Sequence, residues 1–304
     1  MITENSVLCR WFIWLWRSFQ SLWADSALGG WCRRRAGEFK AAAATSRVCD
    51  FATRPGVLRR AWAGSWTGRA LCALLSLPVT VAKGVYRLGR GLWDGSLCFR
   101  CVTALGRSAW LLLGAFVLVM LVAPHESWDN LYGFLGVAVV YLLYAVGCAD
   151  RKEKTLEVGR LGPWFALYFL FITLGLVCSL SVGLSLRFYI FHLTCFLIVL
   201  VAVSAVDDPR QLRTLLVCGA IGVAIASLYG CYQGYVGVEV VASQQDLTLN
   251  KDMPGRIYSF FDNPNNFAEV LVMLAPLTGA LTLNAKTWRG RVCGLVGLGL
   301  DIAA

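Results

Sequence analysis

The chain has 304 residues, of which 58% are apolar and only 15% charged, and its mean hydropathy is +0.62. Soluble domains carry roughly 45–50% apolar and about 25% charged residues. A soluble enzyme, a disordered tail and a secreted disulfide scaffold therefore fit poorly, and an integral membrane protein is expected. The net charge of +10 is uneven: residues 1–107 hold 16 Lys+Arg against 5 Asp+Glu, and residues 108–304 hold 12 against 13. Two domains follow, a basic region over 1–107 and a near-neutral transmembrane region over 108–304.

The first twenty residues do not make a secretory signal, because Glu4 precedes any basic residue and Arg10 and Arg17 interrupt the apolar stretch. At helical spacing, Val7, Leu8, Trp11, Phe12, Leu15, Trp16 and Phe19 fill one half of the wheel, with Arg10 and Arg17 on the other. That pattern predicts a helix lying flat in the headgroup region. A serine-led element then recurs at Ser6, Ser26, Ser46, Ser65 and Ser96, and in three copies a tryptophan stands three residues ahead: Trp23, Trp62 and Trp93. Eight of the twelve tryptophans lie in this region, interleaved with arginine. Amphipathic Trp/Arg helices favour the surface of an anionic bilayer over nucleic acid, so anionic membrane lipids are the expected partner and no nucleic acid is expected. Lys83, Arg87 and Arg90 share one predicted helical face opposite Val85, Leu88 and Leu92. Residues 70–82 are apolar but too short to span, and Pro78 interrupts them, which predicts a re-entrant or interfacial segment. Cys98 and Cys101 form the only C-x-x-C, with no second pair at zinc-ribbon distance, so the twelve cysteines are read as reduced thiols.

Crossing about 30 Å of hydrocarbon takes roughly 20 apolar residues. The predicted spans are 108–124, 131–148, 161–183, 187–206, 213–236 and 267–285, with a seventh opening at Val292. The expected fold is thus an all-α polytopic membrane protein with about six complete helices and a truncated seventh, preceded by interfacial amphipathic helices. Basic residues concentrate in alternate loops: Arg151, Lys152, Lys154 and Arg160, then Arg210, then Lys286, Arg289 and Arg291. The positive-inside rule then puts the N-terminus in the cytoplasm and the 237–266 loop outside, in a multi-pass protein of the cytoplasmic membrane. Gly219 and Gly222 predict close helix packing, Pro276 a kink, and Asp301 an intramembrane ionisable group. His192, mid-span beside Cys195, predicts a buried histidine bonded to a neighbouring helix, and His125 falls in a short external turn.

The external loop is the one long connection, and long loops carry function disproportionately. It ends Gly255-Arg256-Ile-Tyr-Ser-Phe-Phe-Asp262-Asn263-Pro264-Asn265-Asn266-Phe-Ala-Glu269. Asp-Asn-Pro-Asn-Asn is a turn signal, and Asn266 with Glu269 predicts a capping box that starts the next helix at Phe267. The positive dipole end of that helix, its free N–H groups and the Arg256 guanidinium suit a phosphate or diphosphate. A plain helix cap with a snorkelling arginine is the alternative.

The Arg256–Ala268 stretch resembles the signature of the O-antigen ligase/polymerase superfamily: an arginine, a phenylalanine, then Asn-Pro-Asn and a small residue at a helix entrance, matched here by Arg256, Phe261, Asn263, Pro264, Asn265 and Ala268. The resemblance covers about 13 residues of motif, with 108–304 corresponding to the family's N-terminal half. It implies a GT-C-like helical fold and a membrane glycosyltransferase of cell-surface polysaccharide biosynthesis. Such an enzyme moves oligosaccharide from a polyprenyl-diphosphate carrier to an acceptor glycan, lipid or protein at the outer face of the cytoplasmic membrane, without metal or nucleotide. Arg256, with Asn263, Asn265 and Asn266, would contact the diphosphate. The family's second external loop, with its histidine, would lie beyond residue 304, so no catalytic residue is named and these 304 residues are expected to be incomplete as a catalyst. The competing readings are a transporter of an anionic or lipid-linked solute, and a scaffold that recruits partners through its basic helices.

Overall fold

The computed structural model describes residues 7–46, 57–238, 255–261 and 263–304. Among them every regular element is a helix. The chain divides into two compact units, 1–65 and 66–304.

The first unit holds α1 (Val7–Asp25), α2 (Ala27–Thr45) and α3 (Val57–Gly64), with a single-residue break at Ser26 between α1 and α2. α1 forms where the apolar stripe predicts it and leaves Trp11, Leu15 and Phe19 exposed on its surface. The recurring serine proves to be a joint. Ser26 caps α2 by accepting from the Gly29 amide at 2.9 Å, while its hydroxyl donates to the Trp23 carbonyl at 2.9 Å. Ser65 repeats the second bond to Trp62 at 2.8 Å. Ser46 ends α2, and Ser6 lies outside the described residues.

The second unit opens with α4 (Trp66–Leu75), α5 (Leu77–Leu88), α6 (Arg90–Gly95) and α7 (Leu97–Arg107). Ser96 is the third tryptophan-linked joint: its amide donates to the Trp93 carbonyl at 3.0 Å, and its hydroxyl caps α7. The face expected to run from Lys83 to Leu92 is broken at Gly89, which ends the helix with a non-helical φ of −118°, and the Trp93 indole lies 2.6 Å from where a Gly89 Cβ would stand. Residues 70–82 are a bent pair of helices, turning 56° between α4 and α5. Residues 66–107 therefore pack as part of the same unit as the apolar helices, though their charge groups them with the N-terminal region.

The apolar helices are α8 (Ala109–Val122), α9 (Asn130–Gly147), α10 (Gly162–Val177), α11 (Val182–Ala205), α12 (Pro209–Val236), α13 (Pro264–Leu283) and α14 (Trp288–Ala303). Four of them, α9, α11, α12 and α13, are long and apolar enough to cross a membrane; the number rises to six if the bent pairs α4–α5 and α7–α8 each count as one span. This revises the expected six plus one. The predicted 108–124 span is the second half of a pair bent by 65°, and α10 has 16 residues where 161–183 was expected. The helix expected from Val292 starts at Trp288, because the Thr287 hydroxyl caps it at the Gly290 amide.

The core lies where α8, α9 and α11 meet, around Leu113, Val137, Leu200 and Val201, all fully buried. Glycines set the closest approaches. Gly106 and Gly147 bring α7 onto α9 with no space for a side chain, and Gly222 lies against Leu121 of α8. Gly219, expected to do the same, faces open space within 4 Å. α13 continues through Pro276. Beyond the end of α9, the 148–161 connection is held by Tyr144, whose hydroxyl reaches the Thr155 carbonyl at 3.0 Å and the Ser204 carbonyl at 2.9 Å.

Candidate functional site

Residues 255–261 are seated on the last three turns of α12. Ala226, Tyr229, Gly230, Gln233 and Gly234 share one helical face, and each receives part of the segment. Ile257 packs over the two glycines: a Cβ on Gly230 would lie 3.2 Å from Ile257 Cγ2, and one on Gly234 3.0 Å from its Cδ1. Phe260 stacks on Tyr229 with ring centroids 4.6 Å apart. Gln233 acts as a backbone surrogate. Its Oε1 accepts from the Ser259 amide at 2.7 Å and the Tyr258 amide at 3.3 Å, and its Nε2 donates to the Ser259 carbonyl at 3.3 Å. Ser259 adopts a left-handed φ of 55°, a conformation that costs a non-glycine residue about 1 kcal/mol. Those three bonds and a fourth, from Ser259 Oγ to the Ala226 carbonyl at 2.6 Å, offset that cost.

This seat aims Arg256 at the start of α13. Its Nη2 donates to Asn265 Oδ1 at 3.0 Å, and both residues are exposed. The helix does not start at Phe267. Asn263 is the cap, its side chain accepting from the Asn265 amide at 2.8 Å, and Pro264 occupies the first helical position. The reason is local: proline there has its φ already set and lacks an N–H that would go unpaired, so Asn-Pro outcompetes the Asn266/Glu269 box.

The new start changes what the helix can offer an anion. Pro264 has no amide hydrogen, the Asn265 amide is taken by Asn263, and the Phe267 amide donates to the Asn263 carbonyl. Most of the free N–H groups expected from the sequence are therefore absent. The field of a 20-residue helix and the side chains of Arg256 and Asn265 remain. Asn263 is committed to the cap. Asn266 is exposed in the first turn. Asp262 and residues 239–254 of the external loop lie outside the described residues.

Two features of this seat escape sequence reading. One is Gln233, whose only signal is an amide in an apolar span beside the small pair Gly230 and Gly234. The other is the turn at His125–Ser127: the His125 amide donates to the Phe260 carbonyl at 2.9 Å, tying the start of α9 to the same segment.

The other candidates lie elsewhere. His192 is half-buried and its Nδ1 bonds the Phe188 carbonyl of its own helix at 2.7 Å, not a neighbouring helix, because the i−4 carbonyl is within reach of a histidine ring on α11. Asp301 is buried against α12, with Oδ1 accepting from Ser227 Oγ at 2.8 Å and Oδ2 without a partner among the described residues. Cys98 and Cys101 are exposed free thiols, and among the described residues no group of three His, Cys, Asp or Glu side chains could hold a metal. Comparisons with protein-family models, with curated proteins and with solved structures found no match for this chain.

Proposed function

We propose that the chain belongs to a membrane glycan transferase of the O-antigen ligase or polymerase type, in which Arg256 holds the diphosphate of a polyprenyl-linked oligosaccharide at the outer face of the cytoplasmic membrane. One observation carries this reading. A guanidinium is held at the N-terminal end of a helix with no acidic residue in its first turn. Cations are disfavoured there by roughly 0.3–1 kcal/mol, because the helix end is itself positive. A bound dianion turns two repelling charges into a joint site. On transfer to the acceptor the sugar–diphosphate bond breaks and negative charge grows on the departing diphosphate. A fixed guanidinium and the Asn265 side-chain amide stabilise that charge as it develops. The Asn-Pro-Asn spacing supports the same reading, since it places cap, turn and Arg256 partner in successive positions.

The test is glycan transfer from a polyprenyl-diphosphate oligosaccharide by the full-length protein carrying Arg256→Ala or Arg256→Lys. Both are expected to lose transfer at unchanged protein level; lysine keeps the charge but not the two-pronged geometry. Normal transfer by both variants would sink the proposal. The buried Ser227–Asp301 pair favours a second reading, a transporter for an anionic or lipid-linked solute, since polar and ionisable groups buried between apolar helices often line solute paths. Export that needs Arg256 while glycan chain length stays constant would select it.

A further inference from the structure

At the far end of α9 from Arg256, α5, α6 and α7 fold over the last two turns of the helix and enclose an apolar groove of about 380 Å³. Val81, Val85, Trp93, Phe99, Leu142 and Val146 form most of its wall. That volume falls within the range of small-molecule sites, roughly 300–1,000 Å³. The polar tips of its aromatic residues each have a hydrogen-bond partner in the surrounding helices. Tyr86 donates to Asp94 at 2.8 Å and the Trp93 indole donates to the Val85 carbonyl at 3.0 Å. Tyr86 and Phe99 stack at 5.5 Å, which fixes the wall.

A cationic depression adjoins the groove. Ala149 lines the groove, and Arg151, Lys152, Glu153 and Lys154 line the depression. Lys83, flanked in sequence by groove residues, donates to the Lys152 carbonyl at 3.1 Å and the Lys154 carbonyl at 2.7 Å, so one side chain joins the two. Nearby cations are mostly neutralised: Arg107 pairs with Asp150, Lys154 with Asp207, and Arg90 with Asp94. Arg151 and Lys152 are exposed and carry no ion pair among the described residues.

We propose that this is a discrete site for one anionic phospholipid, with an acyl chain in the groove and the phosphate at Arg151 and Lys152. An apolar slot beside two exposed cations that form no ion pair among the described residues, in a depression where three basic side chains outnumber Glu153, matches the order of tail and headgroup in such a lipid. It goes beyond a diffuse attraction of basic helices to the bilayer, because the site is stoichiometric and built by Lys83. It does not rest on the glycan-transferase reading.

The test uses the delipidated full chain in a neutral maltoside detergent, with dioleoyl phosphatidylglycerol or dioleoyl phosphatidylcholine added and bound lipid counted by native mass spectrometry. One phosphatidylglycerol is expected per chain, retained at least roughly tenfold more tightly than phosphatidylcholine, as two basic contacts allow. Val81→Trp and Val85→Trp each fill the groove from its exposed side and are expected to abolish retention of both lipids. Arg151→Ala with Lys152→Ala is expected to bring phosphatidylglycerol down to the phosphatidylcholine level. Arg33→Ala with Arg34→Ala, on α2, is expected to change nothing. Circular dichroism checks that each variant folds, and the exposed Arg151/Lys152 pair decides if a tryptophan variant does not. Equal retention of the two lipids, full retention in both folded tryptophan variants, or displacement of the lipid by millimolar inorganic phosphate would each overturn the proposal.

Discussion

Gln233 and the asparagines around Pro264 show how single side chains divide the work of the candidate site. Gln233 pairs both backbone groups of Ser259, which is buried. Gln233→Leu leaves that N–H and C=O unpaired, at a cost of about 1–3 kcal/mol each. A clearly lower melting temperature in detergent is expected, together with faster protease cleavage within 255–261; unchanged melting would show that the clamp does not hold the segment. Gln233→Glu keeps the acceptor but loses the donor, and its melting should fall between the two. The asparagines separate in the same way. Asn263→Ala removes a helix cap, worth about 1 kcal/mol, and should lower stability. Asn265→Ala leaves its own amide on Asn263 and removes only the partner of Arg256. It should melt normally yet bind a soluble prenyl diphosphate more weakly than the parent, measured by calorimetry. From the sequence these asparagines are interchangeable members of one binding set. Only the position of the cap tells them apart, and that depends on proline at the first helical position.

At the scale of elements, close glycine contacts set the packing. A Cβ on Gly106 would stand 2.0 Å from the Leu143 carbonyl and 2.7 Å from the Gly147 amide, both backbone atoms. Gly106→Ala is therefore expected to push α7 off α9, lowering yield and melting temperature severely. Gly219→Ala meets nothing within 4 Å and should be neutral or stabilising by up to about 1 kcal/mol, as alanine favours helix over glycine. Melting curves of the two variants check both outcomes, and equal behaviour would refute the distinction. The sequence reads Gly219 and Gly222 alike, since spacing reveals a shared face without showing what faces it. Hydropathy is more informative about helix existence. Four predicted spans coincide with α9, α11, α12 and α13, but α11 begins at Val182, α12 at Pro209 and α13 at Pro264, three to five residues earlier than expected. The extra residues of α12 include Arg210 and Gln211 and those of α13 the asparagines, which lower the apolar signal while remaining helical. The extra residues of α11, 182–186, are instead mostly apolar, and the hydropathy pattern divides them between the end of the preceding span and a short turn. Likewise the serine repeat is visible as a pattern, whereas its role as a joint depends on bonds from Ser26, Ser65 and Ser96 to the carbonyls of tryptophans three residues before.

For the molecule as a whole, the distribution of charge along the second unit makes its orientation testable. Arg107, Asp150, Lys154 and Asp207 form two ion pairs at one end of α9 and α11, and Lys83 is bound there too. The opposite end holds the His125 turn, the Arg256 segment and Asn130, whose side-chain amide donates to the Arg187 carbonyl at 3.2 Å. The first end gathers Arg151, Lys152, Arg160, Arg210 and Arg213 besides, and the second far fewer cations. Basic residues resist translocation, so the richer end should remain in the cytoplasm. A reporter fused at residue 153 is expected to read cytoplasmic and one at residue 250 external. Because the residues at 151, 152 and 160 are three of the four basic residues in the 148–161 connection, their joint replacement by glutamine should produce a mixed population at both reporters. Arg256→Gln should leave both unchanged, since one arginine cannot outweigh the opposite end. A cytoplasmic signal at residue 250 in the parent would place Arg256 on the wrong side for a carrier presented outside. The diphosphate proposal would then fail, while the lipid groove, which needs only an anionic leaflet beside Arg151, would move to the outer surface with its chemistry intact.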